Sequence, residues 1–221
     1  MANPLLPQAF WFRLSVPCLR LEGIPRANSK GRVLSLPESH RLPDMAQLDG
    51  APGWADVRVA WNAAGLGVSV QAESGDPPNF SDRPEGAYGF QVWIDTRDTR
   101  NVSRATRFCH RFSVRLLPGG SARSELGIEV VQRPIARAVA DAPIARPDRF
   151  IVRAERLRRG WAAELFLPAE TLNGFDPETN RRLGFAYQIS EPERQDQFLG
   201  AGREFPLGEN PGLWSTLELR D

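Results

Sequence analysis

Between Ala87 and Leu116 the chain reads AYGFQVWIDTRDTRNVSRATRFCHRFSVRL, the densest run of chemically able side chains in its 221 residues. Trp93 has Gln91 two places before it, and Arg107 and Arg111 follow in the next apolar run. A flat indole with a few polar groups beside it has the make-up of a small-ligand site. The alternative for Trp93 is burial beneath arginine stems or a loop. Asp95 and Asp98, with Thr96 and Thr99, offer hard oxygens of the kind calcium takes, without the spacing of an EF-hand. Arg97, Arg100 and Arg104 would neutralise the same acids, so a salt-bridged loop network of Asp95, Arg97, Asp98 and Arg104 competes with the metal. His110, between Phe108 and Phe112, is either a hydrogen-bonded core residue or a haem ligand. The second role needs another axial group, for which His40 and Met45 are candidates. No residue is assigned a catalytic role. No Ser/His/Asp order, histidine cluster or phosphate loop stands out, and Glu164 in WAAELF is a carboxylate that could serve acid–base work.

Two strands must position the Trp93 group. Strand side chains alternate, so Phe90, Val92 and Ile94 face one way and Gln91, Trp93 and Asp95 the other. In the second run Phe108, His110, Phe112, Val114 and Leu116 share a face, opposite Arg107, Cys109, Arg111, Ser113 and Arg115. Arginines spaced by two on one face repel one another unless acids or aromatics lie alongside. Gln91, Trp93 and Asp95 supply that company if the two strands pair.

The same alternation recurs along the chain, in Phe10–Val16, Ala55–Trp61, Leu66–Gln71, Gly127–Val131, Phe150–Arg156, Trp161–Leu167, Leu183–Ile189 and Leu213–Leu219. A further short strand is expected near Val33–Leu36, within a long Pro-bearing loop, and a helical turn over Pro168–Asn173. Arg133–Asp148 leaves room for at most a short helix between its prolines. Nine to eleven short strands with one or two helical turns read as an all-β chain, an antiparallel, jelly-roll-like β-sandwich of one domain over residues 1–221. Residues 1–53 supply a first strand and a loop packed on the rest.

Composition narrows the partners. A formal net charge of +1 argues against nucleic acid or an acidic partner as the main business. Lys30 is the only lysine, so 27 of the 28 basic residues are arginines, whose planar forks suit carboxylates and stack on tryptophan. No apolar run approaches the 18 or so residues of a membrane span. The N-terminus shows no basic stretch followed by a continuous apolar one, which makes a cytoplasmic location the expectation, or an extracellular one had a leader been removed. Cys18 and Cys109 are too few for a disulfide framework, and whether they pair is open.

The order of the pieces carries more than any one of them. Val57-x-Val59-Ala60-Trp61-Asn62-x-x-Gly65-Leu66 is followed by Phe90-Gln91-Val92-Trp93-Ile94-Asp95-Thr96-Arg97. Then come Gly160-Trp161-Ala162-Ala163-Glu164-Leu165-Phe166-Leu167-Pro168, Arg182–Ile189 and a last strand bearing Trp214. This succession, over residues 54–219, resembles the family-nine carbohydrate-binding modules and their wider relatives, the DOMON-like domains among them. The resemblance implies a non-catalytic β-sandwich that clamps a glycan end between tryptophans, often with structural calcium and otherwise no cofactor. Some of the wider relatives bind haem. Trp93 beside Gln91, Arg107 and Arg111 would then be one wall, and Trp54, at a loop–strand boundary, the other. Trp61, Trp161 and Trp214 read as core. The competing reading is a structural or protein-interaction domain in which the Asp/Arg loop satisfies itself.

Overall fold

Apolar residues at every second position can all be buried only by a sheet with one covered face. The computed structural model describes residues 14–26, 32–45, 53–73, 78–79, 87–119, 124–200 and 202–221, and the alternation becomes strands there. These are β1 (Ser15–Leu19), β2 (Ala55–Asn62), β3 (Gly65–Ala72), β4 (Gly89–Asp95), β5 (Cys109–Leu117), β6 (Gly127–Arg133), β7 (Ile151–Leu157), β8 (Gly160–Pro168), β9 (Arg182–Ser190), β10 (Gln197–Phe198) and β11 (Ser215–Arg220). Helix is limited, among the described residues, to short 3-10 turns such as Ala169–Thr171 and Pro147–Arg149.

The strands form two sheets. One has seven strands in the order β1-β11-β9-β4-β5-β6, with β10 paired to β9; the other is β2-β3-β8-β7. All described pairings between strands are antiparallel except that of β1 with β11. The inward halves of the alternation meet in one apolar cluster drawn from both sheets, with Phe90, Val92, Ile94, Phe112, Val114 and Leu116 facing Trp61, Val68, Trp161 and Leu165. Trp61 and Trp161 are fully buried there, as read from the sequence. The β2–β3 hairpin turns at Gly65, whose φ of +151° would set any Cβ against the Leu167 carbonyl.

Three expectations change. The first strand does not end at Val16 but runs on to Leu19, with Pro17 inside β1 at the sheet edge, where a missing N–H costs little. The part expected over residues 10–13 lies outside the described residues. Val33–Leu36 is not a strand. Its backbone instead curls around the Glu164 carboxylate, with Val33 N and Leu34 N donating to Oε2 at 2.5 and 3.1 Å and Ser35 N to Oε1 at 3.1 Å. Successive N–H groups aimed at one anion form a nest, and Ser35 takes φ +47° to close it. The polar stretch after Glu191, which carries no strand alternation in the sequence, holds β10; the Gln197 amide there accepts from Trp54 N and Ala55 N and donates to the Ala55 carbonyl.

Candidate functional site

Register brings Trp93 of β4 opposite Arg111 of β5 and Ala186 of β9, on the outer face of the seven-stranded sheet. The Arg111 guanidinium lies 5.7 Å from the Trp93 ring, and its Nε and Nη2 donate to Gln91 Oε1 at 3.0 and 2.6 Å. Gln91, Trp93 and Arg111 are thus brought together. Trp93 is nevertheless no open wall: it is 2% exposed. A second apolar cluster of Ala105, Cys109, Ile135, Leu207 and Trp214 closes over it, so the indole forms the floor beneath three loops. Burial, together with Arg133 opposite it, lowers the pKa of Arg111.

The other expected wall lies elsewhere. Trp54 packs against the core between the sheets, on the other side of the seven-stranded sheet from Trp93. Its Nε1 donates to the Gln195 carbonyl at 3.0 Å and Arg194 stacks on its ring at 5.3 Å. The two tryptophans therefore form no clamp. Arg107 turns away from Trp93 and stacks on Phe108 at 5.1 Å. Arg104 ties its loop to the next one through Nε to the Arg137 carbonyl at 2.7 Å.

The loop after β4 is built by its own acids. Asp95 is 1% exposed; its Oδ1 accepts from Arg97 N at 2.9 Å and its Oδ2 from Thr99 N at 2.7 Å. Burial raises its pKa while these two N–H groups act the other way. Asp98 adopts φ +46°, which a short polar side chain tolerates. Its Oδ2 accepts from Arg100 Nε at 3.2 Å and Arg182 Nε at 3.1 Å, and Thr216 Oγ1 donates to the carboxylate at 2.9 Å. The Thr216 hydroxyl in turn accepts from Arg100 Nη2.

A second segment pins this loop from below. Thr96 Oγ1 donates to the Asn173 carbonyl at 2.7 Å, and Asn180 Nδ2 donates to the carbonyls of Thr96 at 2.7 Å and Arg182 at 2.9 Å. Gly174, at φ +84°, lets Phe108 and Thr96 approach, since a Cβ would stand 2.7 Å from the Phe108 ring. What stays open is a pocket of about 420 Å³ lined by Arg97, Asp98, Arg100, Asn180 and Arg182. Asn180, Arg182 and Thr216 were missed by sequence reasoning. They join Thr96 and Asp98 across separations of 84 and 118 residues, and only the outward positions of β9 and β11 hint at them.

This arrangement does not fit calcium. The carboxylate oxygens of Asp95 and Asp98 face N–H, hydroxyl and guanidinium donors, whose positive ends repel a cation. Among the described residues no three His, Cys, Asp or Glu side chains gather as a metal cluster.

Other singled-out residues have structural places. His110 is 1% exposed, parallel to Phe112 at 6.1 Å, with Nδ1 at 3.3 Å from Gln132 Nε2. Burial pulls its pKa down to about 4. Met45 belongs to the main apolar cluster, and buried His40 has Nδ1 beside Ser39 Oγ at 3.1 Å. Glu164, 4% exposed, is occupied by the Val33–Ser35 amides. Cys18 and Cys109 are free thiols, and burial raises the pKa of both, that of Cys109 to about 11.

No protein-family model matches the sequence, and no curated protein does. Solved structures do match. A family 9 carbohydrate binding module from Caldicellulosiruptor kristjanssonii in complex with cellotriose superposes with a TM-score of 0.52 at 14% identity, covering 75% of this chain and 74% of that one. A structure of a module of the same family from the same organism in complex with glucose gives 0.52 at 12% identity, over 75% and 76% of the two chains. With these neighbours and its own two antiparallel-dominated sheets, the chain has the β-sandwich fold of family 9 carbohydrate-binding modules.

Proposed function

We propose that this chain is a non-catalytic glycan-binding module whose ligand face is the pocket between the Thr96–Phe108 loop and the start of β9. The observation that carries the reading is an open polar pocket of about 420 Å³ on a fold shared with modules solved in complex with cellotriose and glucose. Guanidinium, carboxylate and carboxamide groups are planar and can bridge neighbouring hydroxyls. Glu164, the carboxylate considered for acid–base work, has its oxygens taken up by backbone amides, which supports binding without chemistry.

A glycan array probed with the wild-type protein and with Arg182→Ala tests this. Retention of a defined glycan class by the wild type, and its loss in the variant, is expected. No retained glycan from a folded protein would remove the reading. The second reading, a structural or protein-interaction domain, is favoured by the burial of Trp93 and the saturation of Asp98. It predicts that outcome.

A further inference from the structure

We infer that the pocket takes an acidic saccharide, holding a sugar carboxylate on its guanidinium groups and a hydroxyl on Asn180. The inference rests on the glycan reading above and narrows it to uronic-acid-type ligands. Three arginines line the pocket against one carboxylate, Asp98. That carboxylate is only 7% exposed and is spent on Arg100, Arg182 and Thr216. Arg182 reaches it through Nε at 3.1 Å, and its two Nη groups have no hydrogen-bond partner among the described residues. Arg97 lays its guanidinium on the Phe108 ring at 5.0 Å. Stacking uses the face of the group and leaves its in-plane N–H donors, for which no acceptor stands among the described residues.

The neighbouring acids, Glu218 near Arg182 and Asp176 near Arg97, attract these guanidinium groups through space but accept no hydrogen bond from them. Glu218, opposite Arg182 in register, accepts from Ser15 Oγ at 2.7 Å and Arg220 Nη2 at 2.8 Å. Asp176 accepts from Thr179 N at 3.2 Å. Arg58 meets Asp56 through two of its nitrogens, whereas Arg182 meets Asp98 through Nε alone and Arg97 forms no ion pair among the described residues. Guanidinium edges left in this way are the complement of a carboxylate. Asn180 adds what a bare anion site lacks: its Nδ2 is used on two carbonyls, so Oδ1 is left as an acceptor for a hydroxyl.

Calorimetric titration with trigalacturonate, cellotriose, acetate and inorganic phosphate, on the wild type, Arg97→Gln and Arg182→Gln, tests the assignment. Trigalacturonate is expected to bind about tenfold or more tightly than cellotriose and acetate, and each variant to lose about tenfold for trigalacturonate alone. Arg97→Gln removes no hydrogen bond to the described residues, so it decides the matter if Arg182→Gln fails to fold. Equal binding of cellotriose and trigalacturonate, unchanged in Arg97→Gln, would overturn the acidic class and leave a glycan module standing. Phosphate or acetate bound as tightly as trigalacturonate would overturn it in favour of a plain anion site. Binding of none of the four by the folded wild type would overturn the acidic class, and with an empty glycan array the glycan reading as well.

Discussion

Two buried acids in this molecule hold a loop to a sheet and leave opposite surroundings. Glu164, on β8, is wrapped by three successive backbone amides, and Asp98 is gripped by two arginines and a threonine hydroxyl from β11. Each loop also contains one non-glycine residue at positive φ, Ser35 at +47° and Asp98 at +46°. A backbone amide has a single donor, so once it points at the carboxylate nothing remains, and the Glu164 anchor is closed. A guanidinium has five donors, so Arg182, bound to Asp98 through Nε, keeps Nη groups that no described residue takes up. Their choice of partner makes one acid a fastener and the other the base of a pocket.

The sharpest way to break the comparison is Glu164→Ala. It strands the Val33 and Leu34 amides in a buried place and should cost about 3–5 kcal/mol, read as a fall in Tm of roughly 10 °C. Residues 32–36 should become cleavable by protease at the same time. A loss under ~1 kcal/mol would mean that water replaces the carboxylate and that the anchor is not closed.

Acid should act next, through an anchor that is neither of these. The amide of Gln132 fastens the loop after β6, donating to the Pro143 carbonyl at 2.9 Å and accepting from Ala145 N at 2.9 Å, beside His110. His110 has a folded pKa near 4, below its ordinary 6.5. Its contribution is complete above pH 6.5 and is lost as pH falls toward 4, because the unfolded chain takes up a proton that the folded one refuses. The loss should approach about 3 kcal/mol. His40, lowered in the same direction by burial, adds to it, and Asp95, raised by burial, offsets part. Stability measured from pH 7 to 4 should fall less steeply in His110→Gln; an unchanged slope would exclude His110 as the cause.

Smaller effects sharpen the contrast. Asp98→Asn removes a charge shared by two half-exposed arginines and should cost about 1–2 kcal/mol by urea titration. A larger loss than that of Glu164→Ala would reverse their ranking. Arg97→Gln should change stability by less than about 0.5 kcal/mol, since its guanidinium rests on Phe108 and grips no acid.

Much of the fold was legible. The alternation in Phe108–Leu116 put Phe112, Val114 and Leu116 on the apolar face, which is where the core holds them, and the core places of Trp61 and Trp161 followed from the same periodicity. Trp93 shows the limit. Periodicity put it correctly on the outer face, yet that face is covered by Ile135, Leu207 and Trp214, from loops whose sequence carries no period. Val33–Leu36 failed in the other direction: an apolar stretch suggested a strand, but its amides were claimed by a carboxylate 129 to 131 residues away. The candidate pocket was half visible. Its Arg97, Asp98 and Arg100 lie in the Asp/Arg-rich loop between β4 and β5, while Asn180 and Arg182 arrive with β9.

The sequence by itself determined which side of each strand a residue occupies, because a strand offers two sides and hydrophobic burial selects between them. Only the tertiary structure decided which outward residues stay open and which acids are used up. Those outcomes depend on where aperiodic loops close and on which distant donor reaches a carboxylate first, and neither leaves a local pattern in the chain.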